Sequence, residues 1–223
     1  MIVTFFNNKP QCGKSTFTIY TAKTLVNIFA KENSRRVFIF DTVHNLNNSL
    51  SNIKEQEDLK TVGAEQRLFI EHMDDFSEYE VKKIDYSIQE EDLVFFDLQN
   101  FGQRQLDFIL NSHFIFVISD SPNELERVDV ELYDLLKKIK DNPYSISQIK
   151  KIFLTQNRVK ENEKILIDFE DINYISGLSE IRENDRIEKI SIYKNNNIPP
   201  FIQKFSIDVW KKVNDYKEQI ILN

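Results

Sequence analysis

The residues with the clearest capacity for chemistry are at positions 7–16, which read NNKPQCGKST and end like a phosphate-binding loop. Gly13 would let the backbone turn close to an anion, and the N–H groups at the start of a following helix would face that anion. The Lys14 ammonium would reach the β and γ phosphates of a nucleotide, the Ser15 hydroxyl would coordinate Mg²⁺, and Thr16 would hydrogen-bond an α phosphate. These residue types predict a nucleotide site, and the alternative is an ordinary helix start.

Alternating strands and helices must position this loop. Six apolar runs of strand length alternate with stretches of helical spacing. The strands are predicted at 2–6, 36–41, 67–72, 92–97, 113–119 and 150–157, and the clearest helices at 14–31 and 121–140. Because the strands are apolar throughout, both faces of their sheet must be covered. The pattern predicts an α/β fold with a mostly parallel, twisted sheet and helices on both faces.

Polar residues lie at the carboxyl ends of three predicted strands, where open α/β sheets bind their ligands. They are the 7–16 loop, Asp41 and Asp97. Asp92 instead begins a strand at the far end of the sheet, so we expect it to have a structural role.

Composition and charge narrow the class of protein. The 223 residues predict a single domain, 1–223, and the net charge of −7 argues against a uniformly basic surface but leaves room for a local basic patch. With no leader-like segment, no run long enough for a membrane span and one cysteine, Cys12, a cytoplasmic location is expected. His44, His72 and His113 are isolated and indicate no metal set, and only His44 is expected near the loop.

The 7–16 loop resembles the deviant Walker A loop of the ParA/MinD family of ATPases, N-x-K-G-G-x-G-K-[ST]-T, and Lys9 matches its additional lysine. Two later segments, RVFIFDTVHNLNNSL and DLVFFDLQNFG, are similar to the second and third motifs of that family. The resemblance implies that Lys9 contacts ATP phosphates across a sandwich dimer, that Asp41 orients the attacking water or the Mg²⁺ environment, and that Asp97 is the Walker B acid acting on Mg²⁺. Lys9, Lys14 and Asp41 are therefore the candidate catalytic residues, although Lys9 could instead be a solvated loop lysine.

The loop departs from the family pattern at Pro10 and Gln11, which replace the glycine pair. Pro10 has no N–H to donate, and Gln11 disfavours a positive φ. Each lost donor would cost about 1 kcal/mol of binding free energy, which weakens a site without abolishing it. We therefore expect Pro10, Gln11 and Cys12 to line the nucleotide together with the rest of the loop, and we expect hydrolysis to be slow.

Later segments follow the order of family motifs. IFLTQNRV resembles the late strand that ends in an asparagine, which implies that Asn157 reads the adenine edge; the alternative is an asparagine that forms a turn. NNNIPPF resembles the loop beside the base, which implies that Pro199 and Pro200 wall the adenine.

The resemblance is closest to short plasmid-type ParA partition proteins. It implies an Mg²⁺-dependent ATPase that forms an ATP-dependent homodimer, binds nonspecific DNA, associates with the nucleoid, and segregates plasmid DNA with a ParB-like centromere-binding partner. The alternatives are a MinD-like positioning ATPase for a protein or membrane cargo, and a nucleotide-gated scaffold with little hydrolysis.

The last segment bears on membrane docking. FIQKFSIDVWKKVNDYKEQIILN places Val209, Val213, Tyr216 and Ile220 on one helical face. We expect this helix to close the core and not to dock on a membrane.

Overall fold

The fold is taken from a computed structural model that describes residues 1–6, 13–32, 35–42, 67–98, 103–119 and 151–156, with 203, 204, 206–211 and 214. The strands are β1 (Ile2–Phe6), β2 (Val37–Asp41), β3 (Leu68–His72), β4 (Leu93–Leu98), β5 (Phe114–Ser119) and β6 (Lys151–Gln156). The helices are α1 (Lys14–Glu32), α2 (Phe76–Asp85) and α3 (Gln103–Leu110). All six predicted strands are present within one residue at each end, and the helix predicted at 14–31 is α1.

The six strands form one sheet in the order β3-β2-β4-β1-β5-β6, and all five pairings are parallel. The predicted parallel α/β sheet is therefore confirmed. The helix predicted at 121–140 lies outside the described residues, and the single domain 1–223 stays a prediction.

Apolar side chains alternate between two cores, one on each face of the sheet. On the α1 face, Phe5 of β1 packs between Phe95 and Phe116 of the neighbouring strands, with ring centroids 5.5 and 5.6 Å away. On the opposite face, Phe96 contacts Tyr79 of α2 at 5.1 Å and Phe108 of α3 at 4.9 Å. Helices thus cover both faces, as the apolar strands predicted.

The carboxyl-terminal helical segment packs on the α1 face. Val209 is 3% exposed within that core, and the Trp210 ring meets the edge of Phe29 of α1 with centroids 4.9 Å apart. Ser206 donates a hydrogen bond of 3.2 Å to Thr21 in the middle of α1. The predicted core-closing role is confirmed for Val209, whereas Val213, Tyr216 and Ile220 lie outside the described residues.

A clasp formed by Arg36 and Asp92 ties β2, β4 and the end of α2 together at the amino edge of the sheet. The Asp92 carboxylate accepts bonds from the Arg36 backbone N–H, Nε and Nη2 at 3.1, 3.2 and 2.5 Å, and from the Gln89 N–H at 2.8 Å. The Arg36 guanidinium also donates to the Tyr86 and Ser87 carbonyls and lies 5.1 Å from the centroid of the Phe38 ring. The expected structural role of Asp92 is confirmed.

Candidate functional site

Three strand ends bring the predicted chemistry to one edge of the sheet. Asp41 of β2 is in register with Asp97 of β4, and Asp97 is in register with Phe5 of β1. Because register partners in a parallel sheet project to the same face, both carboxylates lie on the face covered by α1. β1 ends at Phe6 at this same edge, and α1 begins at Lys14.

Gly13 makes the turn into α1. Its φ is 93°, in the left-handed region where a residue with a Cβ is strained, and its carbonyl accepts the first helical bond from the Phe17 N–H at 2.9 Å. Ser15 and Thr16 follow in the first turn of the helix, where both are half-buried. This is the strand-to-helix context that a phosphate loop requires, since the N–H groups of a first helical turn lack partners within the helix.

Lys14 reaches back from α1 to the end of β4. Its side chain is only 7% exposed, its ammonium lies 3.3 Å from Asp97 Oδ1, and it donates a 2.6 Å bond to the Leu98 carbonyl. The lysine and the acid that the sequence assigned to phosphate and metal therefore form a buried ion pair.

Asp97 fits a role as a metal acid. It is fully buried, and neither carboxylate oxygen accepts a hydrogen bond from the described residues, so its charge is balanced there by Lys14 alone. A buried carboxylate with spare lone pairs suits Mg²⁺, which in phosphate-handling sites takes one or two protein oxygens and fills its shell with phosphate and water. The described residues hold no group of three or more His, Cys, Asp or Glu side chains that could bind a metal ion by themselves.

The backbones of β2 and β4 hold the two acids rigidly. Thr42 follows Asp41, is fully buried, and gives both its N–H and its hydroxyl to the Asp97 carbonyl at 3.2 Å. The Asp41 carbonyl in turn accepts the Met73 N–H at 3.0 Å, and Asp41 is itself fully buried. The main chains that carry Asp41 and Asp97 are therefore joined to each other and to the segment that follows β3.

His72 belongs to this edge and was missed from the sequence. It ends β3 in register with Asp41, whereas His44, the histidine expected near the loop, lies outside the described residues. His72 Nε2 is 3.3 Å from Asp74 Oδ1, while Nδ1 is buried with no hydrogen-bond partner in the described part of the chain. Its place at the end of the apolar run RLFIEH was the available signal, but using it required knowing that β3 pairs with β2.

Several predicted site residues cannot be compared with the geometry. The residues assigned to the loop and the adenine pocket that lie outside the described ranges are Lys9, Pro10, Gln11, Cys12, Asn157, Pro199 and Pro200. Their assignments stay predictions.

Comparisons with solved structures place the fold. The structure of pNOB8 ParA bound to nonspecific DNA aligns at a TM-score of 0.57 and 14% identity, covering 96% of this chain and 98% of that chain. A protein of Borrelia burgdorferi B31 assigned to plasmid partition and bound to AMPPNP aligns at 0.58 and 16%, covering 95% and 98%. A further plasmid partition protein from Borrelia burgdorferi aligns at 0.50 and 16%, covering 93% and 97%.

The chain has the α/β fold of pNOB8 ParA and of these plasmid partition proteins, so the sequence resemblance is confirmed at the level of the fold. Neither a protein-family model nor a curated protein matches the sequence at a significant level. Within the described part of the chain, no helix combines the length and apolar character needed to cross a bilayer.

Proposed function

We propose that this chain is a ParA-type, Mg²⁺-dependent ATPase that dimerises around ATP and segregates or positions DNA. The observation that carries the proposal is the meeting of Lys14 with Asp97 at the carboxyl edge of a parallel sheet, directly below a loop that enters α1 through Gly13. A buried lysine, a buried carboxylate and a helix start at one point are the groups that phosphoryl transfer needs, because its catalysis is mostly charge placement.

The residues at the carboxyl edge of the sheet would have separate roles in binding Mg²⁺, binding phosphate and orienting water. Ser15, Asp97 and Asp41 would hold Mg²⁺, which when bound would neutralise charge on the β and γ phosphates. Lys14 would bind the same phosphates, and Asp41 would orient the attacking water from its fixed place beside Asp97. The buried surroundings of both acids exclude bulk water, which strengthens every electrostatic interaction at the site.

The loop and the late segments complete the proposal from the sequence. Lys9 would reach the nucleotide of the other protomer, which makes dimerisation depend on ATP. Pro10 to Cys12 would line the phosphates, and Asn157 with Pro199 and Pro200 would hold the adenine.

Nonspecific DNA is the proposed surface on which the dimer acts, with a ParB-like protein as the partner that stimulates hydrolysis. The fold shared with pNOB8 ParA, whose structure contains nonspecific DNA, supports this choice over a membrane cargo. Pro10 and Gln11 favour a second candidate, a nucleotide-gated scaffold that binds ATP with little turnover, because they remove an N–H donor and restrict the loop.

The test is ATP turnover with and without nonspecific duplex DNA, combined with sedimentation in the presence of ATP. We expect slow turnover, dimers only with ATP, and DNA binding that weakens steeply with salt. Lys14→Ala should abolish nucleotide binding, and Lys9→Ala should abolish dimerisation while the monomer stays folded. Lys83→Ala is the matched control, because Lys83 is an exposed lysine on α2, on the other face of the sheet.

The outcomes separate the candidates. ATP-dependent dimers that do not bind DNA would contradict the proposal that the protein segregates DNA. Tight ATP binding without measurable turnover would establish the scaffold instead. Unaltered dimerisation in Lys9→Ala would remove the deviant-loop assignment.

A further inference from the structure

We propose that Lys14 stays paired with Asp97, the carboxylate that would bind the metal, until nucleotide phosphates draw the lysine away. A divalent cation then binds at this site only together with the nucleotide. The inference rests on the proposed nucleotide function and adds to it an obligatory coupling between two ligands. It concerns two side chains of this chain, Lys14 and Asp97, which are in contact in the described structure.

The first step is that Lys14 and Asp97 satisfy each other. The lysine ammonium has two partners at the end of β4, Asp97 Oδ1 at 3.3 Å and the Leu98 carbonyl at 2.6 Å. Asp97 is fully buried and receives no hydrogen bond to its carboxylate from the described residues, so the ammonium is its counterion. A buried carboxylate is strongly unfavourable without such a partner.

The second step is competition between two cations for one carboxylate. A divalent cation that approached Asp97 with Lys14 in place would meet an ammonium already in contact with the same group. Two positive charges in contact with the same carboxylate repel each other, and they do so more strongly in a buried environment than in water. Free metal is therefore opposed by the lysine, and it gains nothing from phosphate oxygens when no nucleotide is bound.

The lysine side chain is the part of the pair with the greater freedom to move, because the backbone that carries Asp97 is held in the sheet and an aspartate side chain is short. The Asp97 carbonyl is held by both the N–H and the hydroxyl of Thr42, and its strand is paired on both sides by β1 and β2. Lys14 has a flexible four-carbon side chain, which the two contacts on β4 anchor within the described part of the chain. Phosphates at the start of α1 offer the ammonium new anionic partners, and its departure exposes Asp97 to the metal that accompanies them.

Coupling between the nucleotide and the metal must be reciprocal, and this can be measured. If the nucleotide frees Asp97 for the metal, then loss of the Asp97 charge must free Lys14 for the nucleotide. Asp97→Asn should therefore bind ATP more tightly than the parent protein in EDTA, where no metal contributes. A carboxylate that served only as a metal ligand would give no gain beyond the removal of one negative charge.

Asp41→Asn measures that charge effect. Asp41 is equally buried and lies in register beside Asp97, whereas the ion pair of Lys14 is with Asp97. We expect Asp97→Asn to exceed Asp41→Asn by about fivefold or more in affinity for a fluorescent ATP analogue in EDTA. Asp97→Asn leaves the Lys14 ammonium without its counterion but with its bond to the Leu98 carbonyl, so circular dichroism first establishes that the variant is folded, and the Mn²⁺ comparison of the parent protein with Lys14→Met decides the question if it is not.

A second measurement uses Mn²⁺ alone, followed by the loss of the free-ion paramagnetic resonance signal. The parent protein should bind Mn²⁺ weakly without nucleotide, Lys14→Met should bind it about tenfold more tightly or better, and Lys14→Met with Asp97→Asn should lose that gain. If Lys14→Met does not fold, the EDTA comparison still decides the question.

Equal gains in Asp97→Asn and Asp41→Asn, or Mn²⁺ binding by the parent protein as tight as by Lys14→Met, would overturn the coupling. A parent protein that binds no ATP even with Mg²⁺ would instead refute the proposed function. The two failures are thus distinguishable.

Discussion

Replacement of Asp92 by alanine should cost stability without touching the nucleotide site. The change removes the acceptor for two backbone N–H groups, those of Arg36 and Gln89, and for two guanidinium N–H groups. Each backbone N–H group left without an acceptor lowers the free energy of unfolding by about 1 kcal/mol, and loss of the charge-assisted contact with Arg36 lowers it by a similar amount. The Arg36 side chain is 29% exposed and keeps its bonds to the Tyr86 and Ser87 carbonyls, so the full cost of a broken buried ion pair does not apply.

The expected loss is about 3 kcal/mol of unfolding free energy, or a melting temperature lower by about 6–12 °C for a chain of this size. Urea unfolding followed by circular dichroism gives the free energy, and an ATP analogue titration gives the affinity. The affinity should be unchanged, because Asp92 and Asp97 lie at opposite ends of β4, about 17 Å apart along the strand.

Glu91→Gln is the control, since Glu91 is exposed and adjacent and also carries one carboxylate. It should change stability by less than about 0.5 kcal/mol. A cost below about 1 kcal/mol in Asp92→Ala, or a parallel loss of ATP affinity, would refute the view of the clasp as a purely structural device at the amino edge.

Three further predictions concern other parts of the fold. Burial, reinforced by a 2.8 Å bond to Glu71, raises the pKa of Tyr86 from 10.0 to about 12, so stability should fall as pH rises from about 10 to about 12. Tyr86→Phe should flatten that fall in alkaline unfolding followed by phenolate absorbance. Val209→Ala should lower the urea-unfolding free energy by about 2 kcal/mol, whereas Val81→Ala, at a residue 59% exposed, should be nearly neutral. Thr42→Val should cost about 1 kcal/mol in thermal melting by losing its hydroxyl bond to Asp97, and Thr42→Ser should recover most of it; equal melting of both variants would contradict that bond.

The sequence predicted the strands well because their physical signal is local. Runs such as VFIFD and LVFFDL are apolar throughout, and a strand buried on both faces produces that composition. Their terminal acids then marked the ligand edge, because parallel strands must all end on the same side.

The order of the strands could not be predicted in this way. An apolar run does not encode its neighbours, so nothing in the sequence placed β4 between β1 and β2, where Asp97 meets both Asp41 and the start of α1. The same reason hid His72, whose relevance depends on the pairing of β3 with β2.

The short helix α2 and the contact of Lys14 with the Leu98 carbonyl also could not be predicted from the sequence. α2 reads FSEYEVKKID, in which Tyr79 is the buried residue, so its periodicity is weak, although Asp75 caps it by accepting the N–H groups of Ser77 and Glu78. Lys14 donates a hydrogen bond to the backbone carbonyl of Leu98. Because every residue has a backbone carbonyl, the residue type at position 98 gives no signal of this contact.

Trp210 contacts the carboxyl-terminal end of α1 and so provides an intrinsic fluorescent probe of that end of the helix. The chain has one tryptophan, and its ring meets Phe29 and lies 5.4 Å from the Arg35 guanidinium. Phe29 is fifteen residues beyond Lys14 along α1, which corresponds to about 22 Å of helix. Tryptophan fluorescence, excited selectively over the eight tyrosines, therefore reports from one place, and tryptophan emission that responds to ATP would indicate that events at the first turn of α1 are transmitted along the helix.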